Sequence, residues 1–149
     1  MSNYRINEGQ FTLPEGFYDN SANVFTLGTP QSATLNITIT RDRLDSGEDL
    51  PSYVERQISK MSSHIKGYKL LDRQAIAIGA DQLPGELLKA TLPGKIKGSL
   101  LHQQQAGLAF LEGPHAGKVL VFTFTSQHKP SDAEQAQWQA LLASYTPTV

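Results

Sequence analysis

Four acidic residues that lie close together in the sequence are the side chains best suited to acid–base chemistry. They are Asp42, Asp45, Glu48 and Asp49. A general acid and a general base are often two carboxylates whose pKa values are held apart. This stretch is rich in turn-forming residues, so a solvated loop is the simpler interpretation. An uncharacterised hydrolase that combines this loop with a nearby histidine stays open as an alternative.

The other reactive residues fall outside the spacings that catalytic and metal sites require. No two histidines stand at metal-ligand spacing, and no HExxH sequence is present. There is also no GxSxG nucleophile elbow, P-loop or GxGxxG turn, and the chain contains no cysteine. The sequence therefore gives no positive argument for catalysis, and we expect no cofactor and no metal site. The histidines in question are His64, His102, His115 and His128.

The length, charge and hydropathy of the chain limit its partners. It has 149 residues and a formal net charge of −1, which gives it no general attraction to nucleic acid or anionic lipid. Its first residues lack the basic stretch and apolar run of a signal peptide. No segment reaches the roughly 20 apolar residues of a membrane helix. We expect a single cytoplasmic domain over residues 1–149, without stable insertion into a membrane.

Two helices are predicted among a series of strands. Asp49 is a good N-cap with Pro51 in the first turn after it, and Gly67 ends this helix. Ser131 and Glu134 form a capping box at the start of the second helix. The apolar stripes comprise Tyr53, Val54, Ile58, Met61 and Ile65 in the first helix, and Trp138, Leu141, Leu142 and Tyr145 in the second. The predicted strands cover residues 4–7, 10–13, 22–27, 34–42, 68–78, 85–92, 99–111 and 118–125.

This order of elements predicts an α+β fold with a mainly antiparallel β-sheet and flanking helices. The last four strands are predicted to form an antiparallel meander, because only short turns separate them. We expect both helices on one face of the sheet, which would leave the other face free.

The strand over residues 34–42 raises the question of what that free face binds. Leu35, Ile37 and Ile39 point to one side. The other side carries hydroxyls and an amide, from Thr34, Asn36, Thr38 and Thr40, where a solvated strand usually carries charges.

Neighbouring strands extend this uncharged surface. If Phe25 and Leu27 join the core, then Ala22, Val24 and Thr26 share the face of the threonines. Leu101, Gln103 and Gln105 share a face in a later strand. Such a surface suits an apolar helix with a few polar groups, because charges there would be desolvated at several kcal/mol each, whereas hydroxyls and amides can form hydrogen bonds. The alternative is that threonine is simply a good strand former.

The order and spacing of several short motifs resemble one protein family. They are Tyr4-Arg5 with Glu8, Pro14 with Phe17, Asn23 with Phe25, Thr40-Arg41-Asp42, and Tyr53-Val54 with Arg56-Gln57. In this order they are similar to the DcrB-related proteins, and more narrowly to the Eag chaperones of bacterial type VI secretion. The resemblance covers most of the chain and is strongest over residues 4–73.

The resemblance implies a function, a fold and a set of site residues. It implies a cytoplasmic, homodimeric chaperone that is not an enzyme. This chaperone shields the N-terminal transmembrane helices of an effector with a PAAR domain, often of the Rhs type, before the effector is loaded on the secretion spike. The implied fold is a curved antiparallel sheet with flanking helices, of the PsbP type. The implied client groove falls on Ala22, Val24, Asn36, Thr40, Gln57 and Gln103, and strand parity adds Thr38. The run Gln103–Gln105 leaves the register of that strand open.

Two further interpretations stay open beside the chaperone and the hydrolase. One is a DcrB-like envelope protein, which would need a signal peptide or a lipid attachment sequence. The other is a DcrB-like adaptor that binds a folded partner without membrane helices.

Overall fold

A computed structural model describes residues 2–29 and 31–148. It confirms the α+β class, with a six-stranded antiparallel sheet, a separate two-stranded sheet and two helices in the described residues. The elements lie close to their predicted bounds. They are β1 (Ser2–Ile6), β2 (Gly9–Leu13), β3 (Asn23–Thr26), β4 (Leu35–Arg43), α1 (Leu50–His64), β5 (Lys69–Ile78), β6 (Leu83–Pro93), β7 (Leu100–Ala109), β8 (Lys118–Ser126) and α2 (Asp132–Ala143).

The large sheet combines a hairpin with the predicted meander. Its strand order is β3-β4-β8-β7-β6-β5, and every neighbouring pair is antiparallel. Strands β5 to β8 follow one another as expected from their short turns, and β4 then pairs with β8 over its full length. The result places β3 and β5 at the two edges and β4, β8 and β7 side by side.

Helix α2 covers one face of this sheet. Trp138 is 1% exposed and stacks on Phe124 with 5.3 Å between the ring centroids. Leu142 lies in the same buried cluster, whose sheet members are Leu35, Ile78, Leu87, Ala106, Leu108, Phe122 and Phe124. We call this side of the sheet the α2 face.

Helix α1 packs on the opposite face, which corrects the expectation that both helices share one face. Tyr53 and Val54 are buried against Leu88 and Val119, and these sheet residues have the opposite parity to Leu87 and Phe122. Strand parity sorts side chains between two faces, but the path of each connection decides which helix reaches which face. We call this second side the α1 face; α1 packs against only part of it.

The predicted N-cap holds the start of α1, whereas the helix ends earlier than predicted. Asp49 accepts a hydrogen bond from the Ser52 backbone N–H at 2.9 Å, which satisfies one of the unpaired donors of the first turn. The helix ends at His64, and Ile65 is its C-cap rather than part of the helical stripe. Gly67 has φ +89°, and a Cβ there would lie 2.7 Å from Pro93 Cγ. Glycine is therefore needed both for the turn and for the close approach of β6.

A further correction concerns the edge strand β3. The parity argument took burial of Phe25 and Leu27 as its condition, yet these side chains are 55% and 62% exposed. Phe25 does pair with Ile37, as the parity predicted. The buried cluster under α2 reaches β4 and includes no β3 residue, so the edge strand projects beyond the helix that would have covered it.

The capping box of α2 makes the stability of the protein depend on Glu134 at low pH. The Ser131 hydroxyl accepts from the Glu134 backbone N–H at 3.1 Å, and the Glu134 carboxylate accepts from the Ser131 N–H at 2.9 Å. This backbone hydrogen bond, followed by the one to His128, lowers the pKa of Glu134 below the ordinary value of 4.5. The folded protein therefore holds this carboxylate ionised more readily than the unfolded chain does.

We expect Glu134→Gln to flatten the acid limb of the stability profile. A carboxyl whose pKa is lower when folded contributes stability that is complete above its unfolded pKa and is lost as the pH falls through its folded pKa. The variant should be less stable than the wild type near neutral pH, and the difference should shrink between about pH 5 and about pH 3. Urea unfolding at several pH values measures this. A difference that stays constant over that range would contradict the assignment.

Candidate functional site

The uncharged side chains predicted from the sequence form a continuous surface on the α1 face. In the register of the sheet, Thr38 pairs with Val24 on one side and with Thr123 on the other, and Thr123 pairs with Gln105. Directly paired residues of antiparallel strands point to the same side. This row crosses four strands with small or neutral polar side chains.

A second row runs beside the first. Asn36 pairs with Thr26 and Thr125, and Thr125 pairs with Gln103. The Gln103 Nε2 donates to Thr125 Oγ1 at 3.4 Å, a long hydrogen bond that leaves the amide able to turn toward a ligand. The two rows together are called the polar face below.

Helix α1 borders the polar face at one side. Gln57 on α1 lines a cleft of about 160 Å³ together with Thr40, Gln105, Met61 and Val121. The amides of Gln57 and Gln105 thus stand at the two walls of the cleft where helix and sheet diverge. Beyond it, Arg73 joins the sheet to α1, because its guanidinium contacts Glu86 at 2.8 Å and Glu55 at 2.5 Å.

The structure places six of the seven predicted site residues on one side of the sheet. Asn36, Thr38, Gln57 and Gln103 are half-buried, whereas Thr40 is exposed and Val24 is 60% exposed. Ala22 is exposed and lies one residue before β3, outside the paired register. The residues brought together are Val24, Asn36, Thr38, Thr40, Gln57 and Gln103.

The register within Gln103–Gln105 is settled by the pairing of β7. Gln103 and Gln105 face the polar side, while Gln104 pairs with Phe124 on the α2 face. There the Gln104 Nε2 donates to Gln135 Oε1 of α2 at 2.7 Å. Gln104 is 8% exposed and helps to pack α2 on the sheet. Gln103 and Gln105 are therefore the glutamines available to a ligand.

Sequence reasoning left Thr123 and Thr125 out of the candidate site. They fill the centre of both rows, and Thr123 is buried. The signal was present, because these threonines alternate with Phe122 and Phe124 in β8. What was missing was the pairing of β4 with β8, which joins strands far apart in the sequence.

The acidic loop between β4 and α1 has structural partners for its carboxylates. Arg56 contacts Glu48 at 2.8 Å and Asp45 at 3.3 Å, and the hydrogen bond from Arg56 lowers the pKa of Glu48. Asp49 caps α1. Asp42 accepts a hydrogen bond from the Tyr53 hydroxyl at 2.8 Å. Burial is the larger cause, and this hydrogen bond the second, of the raised pKa of the Tyr53 phenol. These contacts anchor the start of α1.

Two absences hold for the residues that the structure describes. Residues 2–29 and 31–148 contain no group of three or more histidine, aspartate or glutamate side chains placed to hold a metal ion. Neither α1 nor α2 is long and apolar enough to cross a bilayer.

The sequence matches the family model named DcrB over residues 8–144. The chain belongs to the DcrB family. This confirms the resemblance drawn from the short motifs, which lie between residues 4 and 57.

Known proteins of two kinds are similar to this DcrB-family chain. A Pseudomonas aeruginosa protein named Effector EagT6 is 30% identical over 79 residues, which are 52% of this chain and 55% of that protein. The match thus spans about half the length of that curated relative. Its name agrees with the narrower, Eag-type part of the resemblance.

The solved structures bear on the fold. The crystal structure of PA94, a Pseudomonas aeruginosa protein of unknown function, superposes with a TM-score of 0.74 at 24% identity, covering 100% of this chain and 98% of PA94. This likeness confirms the fold of the DcrB-family chain. The solution structure of cyanobacterial PsbP (CyanoP) from Synechocystis is more distant, with a TM-score of 0.45 and 12% identity over 95% of this chain and 86% of that one.

Proposed function

We propose that this DcrB-family protein is a cytoplasmic chaperone of bacterial type VI secretion. Its client is an effector with N-terminal transmembrane helices beside a PAAR domain, of the Rhs type. The chaperone shields these helices from water and aids the loading of the effector on the secretion spike. Membership of the DcrB family and similarity to EagT6 support the secretion role.

The observation that best supports a transmembrane helix as the client is the absence of charge in the polar face. Its rows present hydroxyls and amides from Asn36, Thr38, Thr125, Gln103 and Gln105, with no ionised group among them. A charged side chain under a docked apolar helix would lose its water at several kcal/mol. Neutral donors and acceptors cost less and can bond the polar side chains that transmembrane helices use among themselves.

The exposed edge strand supports the same client. Val24 flanks Thr38 and is 60% exposed. The row that contains Thr38 therefore ends at the sheet edge in an exposed apolar side chain, called the rim below. Threonine and valine are short, and small interface residues let a helix backbone approach closely. An apolar helix laid beside β4 would contact the rim with its aliphatic side chains and the rows with its few polar groups.

We also propose that the working form is a homodimer. A transmembrane helix is about 30 Å long and about 10 Å wide. One sheet face covers one side of such a helix and leaves the remainder in water. A second protomer would cover the opposite side. Light scattering that finds a monomer at micromolar concentration, with and without a client peptide, would contradict the dimer.

Co-expression tests the chaperone proposal. We expect an effector with intact N-terminal helices to stay in the soluble fraction and to co-purify with the chaperone, and to aggregate when expressed alone, because exposed apolar helices associate. A client whose helices have been deleted should be soluble in both cases and should not co-purify. Equal solubility and equal delivery of the intact effector with and without the chaperone would contradict the proposal.

A further inference from the structure

A second and larger cleft lies near the end of β4. Its volume is about 810 Å³. Residues 18–20 form one wall and residues 145–148 form another, and between them lie Arg41, Arg43 and Lys118. We call it the basic cleft. Arg41 and Arg43 have the parity of Ile37 and Ile39, so their side chains belong to the α2 face, opposite the polar face.

The cations of the basic cleft are placed unfavourably for a protein without a ligand. Arg43 is directly paired with Lys118 across β4 and β8, and Arg41 lies on the same side two residues away. Like charges directly opposite in an antiparallel pair are destabilising. Among the residues that the structure describes, no carboxylate oxygen lies within 4.0 Å of the charged side-chain nitrogens of these three residues. An anionic ligand would relieve this repulsion.

Arg41 is held in place by hydrogen bonds to uncharged acceptors. Its Nη1 donates to Asn23 Oδ1 at 2.6 Å and to the Ile39 carbonyl at 3.3 Å. Both acceptors are uncharged, so the guanidinium keeps its positive charge while it loses freedom. A cation that is fixed before binding forfeits less side-chain entropy when the ligand arrives.

Aromatic rings line the same cleft. Phe110 lies 5.5 Å from the His115 ring, Tyr145 packs edge-on against Phe122, and Tyr18 is 87% exposed. Ligand sites commonly combine apolar and aromatic walls with a few placed charges. The ligand should therefore carry an apolar group beside its negative charge.

Two carboxylates limit how much negative charge the cleft can take. Asp19 and Asp42 also line it. Hydrogen bonds from Ser21 lower the pKa of Asp19, so this carboxylate stays ionised. A polyphosphate would meet like charges here. A peptide with one or two carboxylates matches the net charge, and its N–H groups can donate to the two aspartates.

The geometry points to the basic cleft as a binding site for a short acidic peptide segment, with one or two carboxylates next to an aromatic or aliphatic side chain. Arg43 and Lys118 bind the carboxylates, and Phe110 and Tyr145 contact the apolar side chain. The basic cleft shares Arg41 and Asp42 with the small cleft beside Gln57, but no residue of the two polar rows lines it.

An NMR titration tests this site. The probe is a capped peptide of sequence Gly-Glu-Phe-Glu-Leu-Gly, and its matched control replaces both glutamates by glutamine. We expect the acidic peptide to shift the amide signals of β4, β8 and the 110–118 turn, and the glutamine peptide to shift them far less. Raising the salt from about 0.05 M to about 0.5 M should weaken the binding, because ions screen exposed charges.

Paired charge variants separate the site from a general charge effect. Arg43→Gln with Lys118→Gln should weaken acidic-peptide binding about tenfold, while Lys95→Gln with Lys97→Gln removes the same charge from an exposed loop and should leave it unchanged. Equal losses in both variants, shifts confined to the polar face, or no binding would overturn the proposal. So would binding of ATP, but not of the peptide, at these residues. None of these results would affect the co-expression test of the chaperone role.

Discussion

Thr38→Glu is expected to weaken binding of the effector's transmembrane helices more than about a hundredfold while the chaperone stays folded. Thr38 is half-buried between Val24 and Thr123 in the middle of the polar face. In the free protein a glutamate there can reach water, at a cost of at most about 1 kcal/mol. Under an apolar helix the same carboxylate would be desolvated without a partner, at several kcal/mol. Since every 1.4 kcal/mol is about tenfold in affinity, binding should collapse.

Two control variants show whether the loss of client binding depends on the position of the glutamate in the polar face or only on its charge. Thr91→Glu places the same substitution on a half-buried threonine of the same sheet, but on the α2 face, and should leave client binding intact. Ile37→Glu places the charge next to the core under α2 and should unfold the protein. Each variant is measured by a melting curve and a client pull-down. Normal melting of Thr38→Glu together with full client retention would show that the polar face is not the groove.

Val24→Glu and the two glutamine substitutions should weaken client binding to different degrees. Val24→Glu should act like Thr38→Glu, because it borders the same row. Gln57→Ala and Gln103→Ala remove hydrogen bonds to client groups, at about 1–3 kcal/mol each. Gln104→Ala is the matched control, since its amide bonds Gln135 on the far face; it should lower stability and leave the affinity of the folded protein unchanged.

The part of the site that could be predicted from the sequence is the part that strand parity decides. Parity alone put Val24, Asn36, Thr38 and Thr40 on one side, and the pairing of β3 with β4 confirms it for Val24 and Thr38. Parity also separated Gln103 and Gln105 from Gln104. It could not show that β8 lies between β4 and β7, so Thr123 and Thr125 were missed although their pattern was visible.

The errors in the fold concern contacts that no local pattern encodes. The apolar stripe of α1 predicted a helix with one buried side, but not that Val54 would pack on Leu88 rather than beside α2. The shared face of the first two strands of the large sheet was predicted on the condition that Phe25 and Leu27 join the core. Their exposure follows from the edge position of β3, which depends on the order of all six strands.

Trp138→Ala should remove much of the stability of the fold. Trp138 is 1% exposed and stacks on Phe124 in the core beneath α2. Truncating a buried tryptophan to alanine typically costs about 3–5 kcal/mol, from lost transfer free energy and the cavity left behind. Since domains of this size are stable by only about 5–15 kcal/mol, the melting temperature should fall by roughly 6–20 °C.

Circular dichroism is the suitable measurement, because Trp138 is the only tryptophan and its removal abolishes the intrinsic tryptophan fluorescence. Trp138→Phe keeps a ring against Phe124 and should cost clearly less than Trp138→Ala. Gln139→Ala changes the next exposed position of the same helix and should alter stability by no more than about 0.5 kcal/mol. A Trp138→Ala protein that melts like the wild type would mean that α2 does not hold the sheet. The polar face on the other side of β4 and β8 would then need a different support.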